Sequence, residues 1–254
     1  MKTILSISLN ELKRMRRNQM VWFICCLSIF LLFLMDLFHY FTIEEQLKMI
    51  QDFSLGLMNL TTLLLVVYYP SHLIKEEFRE KTIYSLLSRP VSRTSIILGK
   101  ALSVAILVGL ALLGNLLSLG IMLLIKGGSL DATLLTAVSL IYLKNIMLIG
   151  FSLLFGISPL SDFICTLLTF FIYGVGTVKS YFMEGLDQIP VWMQTFYKMF
   201  FTFIPNLRIY DLVESITLNK DVPLSHIMNG FLHFLGVSIL IYGIAIFFFN
   251  RKEV

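Results

Sequence analysis

Charge is scarce in this sequence: 14% of its 254 residues are charged, against about 25% in soluble chains, and 57% are hydrophobic. That balance excludes an ordinary soluble globule. Cysteine is scarce too. Cys25, Cys26 and Cys165 all fall in apolar runs with no CxxC or Cys/His spacing, which argues against a metal site or disulfide and predicts buried reduced thiols. Several apolar runs approach the roughly 20 residues that a helix needs to cross a bilayer, and none shows the alternation over about 10 positions that a barrel strand would. No phosphate-binding loop is encoded, because Gly99-Lys100-Ala101 lacks both the upstream glycine and the following Ser or Thr. There is no GxSxG and no HExxH, so a serine elbow and zinc-dependent hydrolysis have no support. The net charge of +4 needs no nucleic acid: thirteen of the twenty Lys and Arg fall in the N-terminal arm, in 75–100 or at the C-terminus, as positive-inside bias would place them.

What is present predicts an all-α membrane protein, a single transmembrane domain over 1–254 with six transmembrane helices and no room for a separate soluble domain. Residues 1–19 place Ile4, Leu5, Leu12 and Met15 on one helical arc opposite Lys13, Arg14 and Arg17, the pattern of an interfacial helix. Glu11 and Arg16 blur the edges of that arc, so an ordinary basic flank is the alternative. Span 1 is 20–41. Its apolar run is long and no small-residue cleavage site follows, which predicts an uncleaved anchor with the N-terminus inside. Asp36 and His39 near its outer end are either a water-facing helix end or a substrate or proton contact. The acidic stretch 42–52 reads as an external loop, 53–74 as span 2 with Pro70 loosening its last turn, and 101–125 as span 3, closed by the turn Lys126-Gly127-Gly128-Ser129.

Span 4 is 131–158 and carries Lys144 and Asn145 near its middle. A lysine there costs about 2.5–3.5 kcal/mol on insertion scales. Either Lys144 faces a wet or paired site in the bundle, or 132–143 is an external surface helix. Ser152-x-x-x-Gly156 offers a small-xxx-small helix contact. Span 5 is 160–178, and the turn before it carries Asp162 but no Lys or Arg, so charge does not support an inner placement there. In 180–223, the apolar stretch 191–204 spans only about 21 Å as a helix and cannot cross. Pro205 stops it, Asn206 offers an N-cap, and 207–218 reads as a second short helix with Leu212, Val213 and Ile216 inward. Trp192, Tyr197 and Tyr210 are interface anchors of a predicted external re-entrant or interfacial hairpin. Span 6 is 224–249, which leaves both termini cytoplasmic.

The segment 75–100 is a charged island between apolar runs, with six basic residues against three acids. Phe78, Thr82/Ile83 and Leu86/Leu87 recur at about four residues, predicting a short helix with one apolar edge that ends at Ser88 to Pro90. An ordinary positive-inside loop is the plainer reading. The run Glu77-Phe78-Arg79-Glu80-Lys81-Thr82-Ile83, then Leu86-Leu87-Ser88-Arg89-Pro90-Val91-Ser92-Arg93, then Leu98-Gly99-Lys100 resembles the first cytoplasmic loop of ABC-2 type permeases. Lys81 departs from that pattern, which usually has a small residue before the threonine. The resemblance extends to the elbow helix before span 1, the six spans and the external Pro205-Asn206 pair. Within the family it is closest to the branch that includes the permease of the nitrous oxide reductase copper-site maturation system.

The resemblance implies a permease subunit for ATP-driven export, multi-pass in the cell membrane, paired with a second identical or different permease copy. It implies a cytoplasmic coupling helix in which Glu77, Phe78, Thr82, Ile83, Leu86, Leu87, Pro90 and Arg93 meet a separate ATPase subunit, and an elbow helix (Leu5, Leu12, Arg14, Arg17) that does likewise. ATP and Mg would be held by that subunit, with no catalytic, cofactor or metal residue in this chain. Asp36, Lys144 and Asn145 are the candidate path or polar bundle residues, and Trp192, Pro205 and Asn206 mark the external hairpin. Two other classes compete. A secondary carrier would place ionisable residues at the midplane and show internal repeats; Lys144 is the single candidate and no repeat is visible. Glu76-Glu77 also resembles the paired glutamates of CAAX-type intramembrane proteases, with Lys81 where their arginine stands and with His226 and His233 near span 6.

Overall fold

The computed structural model describes residues 2–34, 42–80, 92–184, 190–202, 204–212 and 222–251. Among the described residues there are eight α-helices and no strand: α1 (Lys2–Met15), α2 (Gln19–Leu34), α3 (Ile43–Arg79), α4 (Arg93–Ile125), α5 (Ala132–Ile157), α6 (Asp162–Glu184), α7 (Val191–Thr202) and α8 (Leu224–Arg251). Helices α3 to α6 and α8 are long and apolar enough to cross a membrane, while the apolar stretch in α2, Val21–Phe30, is shorter. Asp36, His39, Lys81, Thr82, Ile83, Leu86, Leu87, Pro90, Val213 and Ile216 lie outside the described residues.

The expected acidic loop at 42–52 is helical. It forms the first turns of α3, whose 37 residues run about 55 Å. Gln46, Ile50, Ser54 and Met58 recur every fourth residue and are all buried, so this stretch keeps one face on the bundle while Glu45 stays exposed. Pro70 lies inside the helix, which continues to Arg79. A hydroxyl from α5 supports the turn at the proline: Ser152 Oγ accepts from Ser71 N–H at 3.2 Å and lies 3.5 Å from the Val67 carbonyl. One helical turn on, Gly156 has no room for a side chain, because a Cβ there would stand 3.0 Å from Ser71 Cα. The small-xxx-small pair is thus the α3–α5 contact. Gly156→Val is expected to force these helices apart and cost about 1–3 kcal/mol, seen as a lower unfolding temperature in detergent; an unchanged midpoint would show that the contact can relax.

Helix α5 runs unbroken from Ala132, and Leu134, Ala137, Leu140 and Ile141 are buried. The stretch 132–143 therefore packs in the bundle and is not a surface helix. The turn before it closes α4 in a Schellman arrangement, with Gly127 at φ 77° and Gly128 N–H donating to Leu123 O at 2.8 Å. Tyr242 of α8 donates to Ile146 O of α5 at 2.8 Å, and Gly150 lets α8 approach. The outer faces of α6 and α8 stay open, with Phe163, Phe170, Phe231 and Ile239 exposed. Expected burial of all three thiols is corrected: Cys165 is buried, Cys25 is half-buried and Cys26 is exposed, because α2 packs by one face only.

Candidate functional site

One end of the bundle collects α1, the C-terminal ends of α3, α5 and α8, and the N-terminal ends of α4 and α6. Three charged residues meet inside it. Lys100 Nζ of α4 is 2.6 Å from Glu77 Oε1 of α3 and 3.3 Å from Glu11 Oε1 of α1. It is also 3.5 Å from the Leu73 carbonyl. All three residues are buried, none more than 6% exposed. The close approach of α1 rests on Gly99, where a Cβ would stand 2.8 Å from Ile7 Cγ2 and 3.3 Å from the Ile4 carbonyl. Two carboxylates share one ammonium, and among the described residues Glu11 Oε2 and Glu77 Oε2 have no hydrogen-bond partner. Such a cluster adds little net stability, but removing its one cation strands two buried acids.

A more exposed layer surrounds this cluster. Arg14 of α1 binds Glu76 at 2.7 Å and reaches Glu80 at 3.7 Å. Burial works against the Arg14 charge, but Glu76, Glu11 and Glu77 outweigh it and hold its pKa above the ordinary value. Lys75 donates to the carbonyls of Ser158 and Leu160, and His72 lies 3.5 Å from Asp162. The α5–α6 turn, which has no basic residue of its own, thus receives one from α3. On the far side of 81–91, Ser92 caps α4 by accepting from Ser95 N–H, and Arg93 donates to the carbonyls of Phe249 and Asn250, both at 3.1 Å. Lys75, Glu76 and Glu77 before 81–91, and Arg93 after it, are each tied to another part of the bundle.

At the opposite end, the segment after α7 folds back between α6 and α8. Leu207 N–H donates to Gly176 O at 2.9 Å, two turns or about 12 Å inside the end of α6. Lys179 donates to the carbonyls of Phe201 and Ile204 at 2.6 and 2.7 Å. Tyr210, fully buried, donates to Gly230 O at 3.2 Å and lies 2.9 Å from His233 Nδ1. Within this irregular stretch Ile204, Pro205, Leu207, Tyr210 and Leu212 are buried, while Asp211 is exposed. Beneath it, Lys144 donates to Asn59 Oδ1 at 2.7 Å, Asn59 donates to the Tyr173 hydroxyl at 2.8 Å, and Asn145 donates to Thr62 Oγ1 at 2.9 Å.

The family model described as ABC-2 family transporter protein matches residues 8–185, more than half of the chain. The chain belongs to the ABC-2 transporter family. Its matched region takes in Glu11, Glu77, Lys100 and Lys144 and stops short of the re-entrant segment. No curated protein matches the chain. ABC-2 membership makes it a transmembrane component of a transporter; the narrower branch of the nitrous oxide reductase system gains no support.

In this ABC-2 chain, several sequence expectations shift. Glu77 and Phe78 do not open a separate short helix; they lie in the last turns of α3, which reaches Arg79 because Lys100 and Arg14 hold its acids in register. Arg93 belongs to the first turn of α4 and not to the loop. On α1, Leu12 faces the bundle, but Leu5 is 53% exposed, because the packed face runs through Ile7, Ser8, Glu11 and Met15. Arg14 turns toward α3, while Arg17 is exposed. The helix expected over 207–218 is, in its described part 207–212, a single 3-10 turn, Arg208–Tyr210, and Asn206 accepts from Arg208 N–H at 3.2 Å. Pro205 and Leu212 are buried and Trp192 is exposed. Glu11, Gly99 and Lys100 escaped assignment as site residues; the available signal was an acid on the apolar edge of an amphipathic arc. Among the described residues the paired glutamates and the span 6 histidines do not come together. Glu76 and Glu77 sit beside α1, whereas His226 and His233 bind Ile209 O and Tyr210, with His233 about 24 Å of helical rise before Phe249.

Proposed function

We propose that this chain is the permease subunit of an ATP-driven exporter, working with a second permease copy and a separate cytoplasmic ATPase that holds ATP and Mg. Both termini and 81–91 then face the cytoplasm in the cell membrane, and the ATPase docks on 81–91 and on α1. The buried Glu11–Lys100–Glu77 cluster carries this reading, because it joins α1 to both helices that flank the docking segment. A push on either contact reaches the bundle through the other. ATP-driven closure biases the bundle only if the ATPase contacts its two packings differently. The exposed apolar faces of α6 and α8 supply area for lipid and the second copy.

Phe78→Asp and Thr82→Arg are each expected to abolish co-purification with the ATPase and ATP-dependent transport while the variants still insert and unfold near the parent temperature. Full retention of both would overturn the docking assignment. The buried Lys144 gives the carrier reading its one observation, and transport that continues without any ATPase would favour it.

A further inference from the structure

A cavity of about 540 Å³ lies between α2 and α4, with the corner that joins α1 to α2 at one end of it. Val21 to Ile29 on α2 and Leu107 to Asn115 on α4 are each a step of eight residues, so the cavity follows both helices for about 12 Å. That is close to the hydrocarbon depth of one leaflet, roughly 15 Å. Its volume is about eighteen times the 30 Å³ share of one water, which is room for a long methylene chain. Trp22 and Leu110 in the wall are more than half exposed, so the cavity opens sideways to whatever surrounds the bundle. At the far end Asn115 is already engaged: its Oδ1 accepts from Ser28 Oγ at 2.9 Å, and its Nδ2 donates to the Ala111 carbonyl at 3.0 Å. Gly114 keeps the space open, since a Cβ there would meet no atom within 4 Å.

Among the described residues the wall carries a single charge, Arg16, and no acid. Arg16 is exposed at the α1–α2 corner, where its carbonyl accepts from Trp22 Nε1 at 2.8 Å. Lys13 and Arg17 are exposed on either side of it, and none of the three forms an ion pair among the described residues, whereas Arg14 is taken up by Glu76. We infer that this cavity is a binding site for an anionic phospholipid, with one acyl chain laid between α2 and α4 and the phosphate-bearing head group against Arg16. The second chain stays in the bilayer. A tryptophan and an arginine at one end of an apolar slot follow the order in which a lipid presents its head group and its chain. A soluble anion would leave the apolar walls without a partner, and a lipid without net charge would leave the three cations unmatched; a charged head on a long chain satisfies both. The site requires only that the chain span a membrane, and does not depend on which ATPase or second permease it meets.

The test uses the full chain carrying Trp192→Phe, which leaves Trp22 as the single tryptophan, in detergent micelles to which phospholipids with brominated acyl chains are added. Brominated phosphatidylglycerol is expected to quench Trp22 saturably, with half-saturation at a concentration about fivefold lower than for brominated phosphatidylcholine. Arg16→Gln should remove most of that difference by weakening phosphatidylglycerol. Gly114→Leu fills the cavity from open space and should lose the saturable quenching by both lipids. Its own unfolding midpoint in lipid-free detergent should stay at or above the parent's, which keeps the test clear of misfolding. Absent or unsaturable quenching in the parent, or equal quenching in Gly114→Leu, overturns the site. Equal half-saturation by the two lipids overturns the anionic head group. Conversion of a dimer to a monomer by Gly114→Leu in lipid-free detergent would give the cavity to a second copy of the chain and overturn the lipid.

Discussion

Lys100→Met is expected to release α1 from the bundle and to lower stability by about 3–5 kcal/mol, the usual cost of stripping one partner from a buried ion cluster. Among the described residues Lys100 is the cation in direct contact with both buried acids, while Arg14 acts on them at longer range, so its loss leaves Glu11 and Glu77 facing each other with little compensation. The variant should unfold at lower temperature, become sensitive to protease between α1 and α2, and lose transport. The triple variant Glu11→Gln, Glu77→Gln, Lys100→Met should recover most of the stability, because neutral residues of similar volume avoid the desolvation cost. If Lys100→Met alone unfolds like the parent, the cluster does not hold α1.

Gly176→Val is expected to expel the re-entrant segment. A Cβ at 176 would stand 2.8 Å from both Pro205 O and Leu207 Cγ, and the carbonyl is backbone that cannot rotate away. Overpacking of this kind costs about 1–3 kcal/mol, and each hydrogen bond of Leu207 and Tyr210 lost on displacement adds about 1 kcal/mol. In a Cys26→Ser background, a cysteine at 207 should resist a membrane-impermeant thiol reagent with Gly176 present and react once valine replaces it. Continued protection would show that the segment can shift and stay inside.

How much was legible in the sequence depended on whether a signal was local. The glycine pair at 127–128 and the break at Pro159 bound α5 closely, because turn chemistry is written in adjacent residues. Where charge was read as loop, at 42–52, a helix with a polar outer face was missed, since burial at Gln46 and Ser54 is not an apolar signal. Glu11 and Lys100 are 89 residues apart, and nothing in either neighbourhood marks the other. The helix expected from 207 gave way to a short 3-10 turn because its backbone found partners on Gly176 and its carbonyls on α8, which outweighed local propensity.

Arg93 has a consequence for motion. By holding the last carbonyls of α8, it leaves the chain's final helix unable to slide independently of the first turn of α4. With Lys75 anchoring the α5–α6 turn and Glu77 anchoring α1, the segment 81–91 is mounted on a stiff ring of cross-braces. In the proposed docking role, that bracing would pass a push on the segment to the helices tied at its two ends.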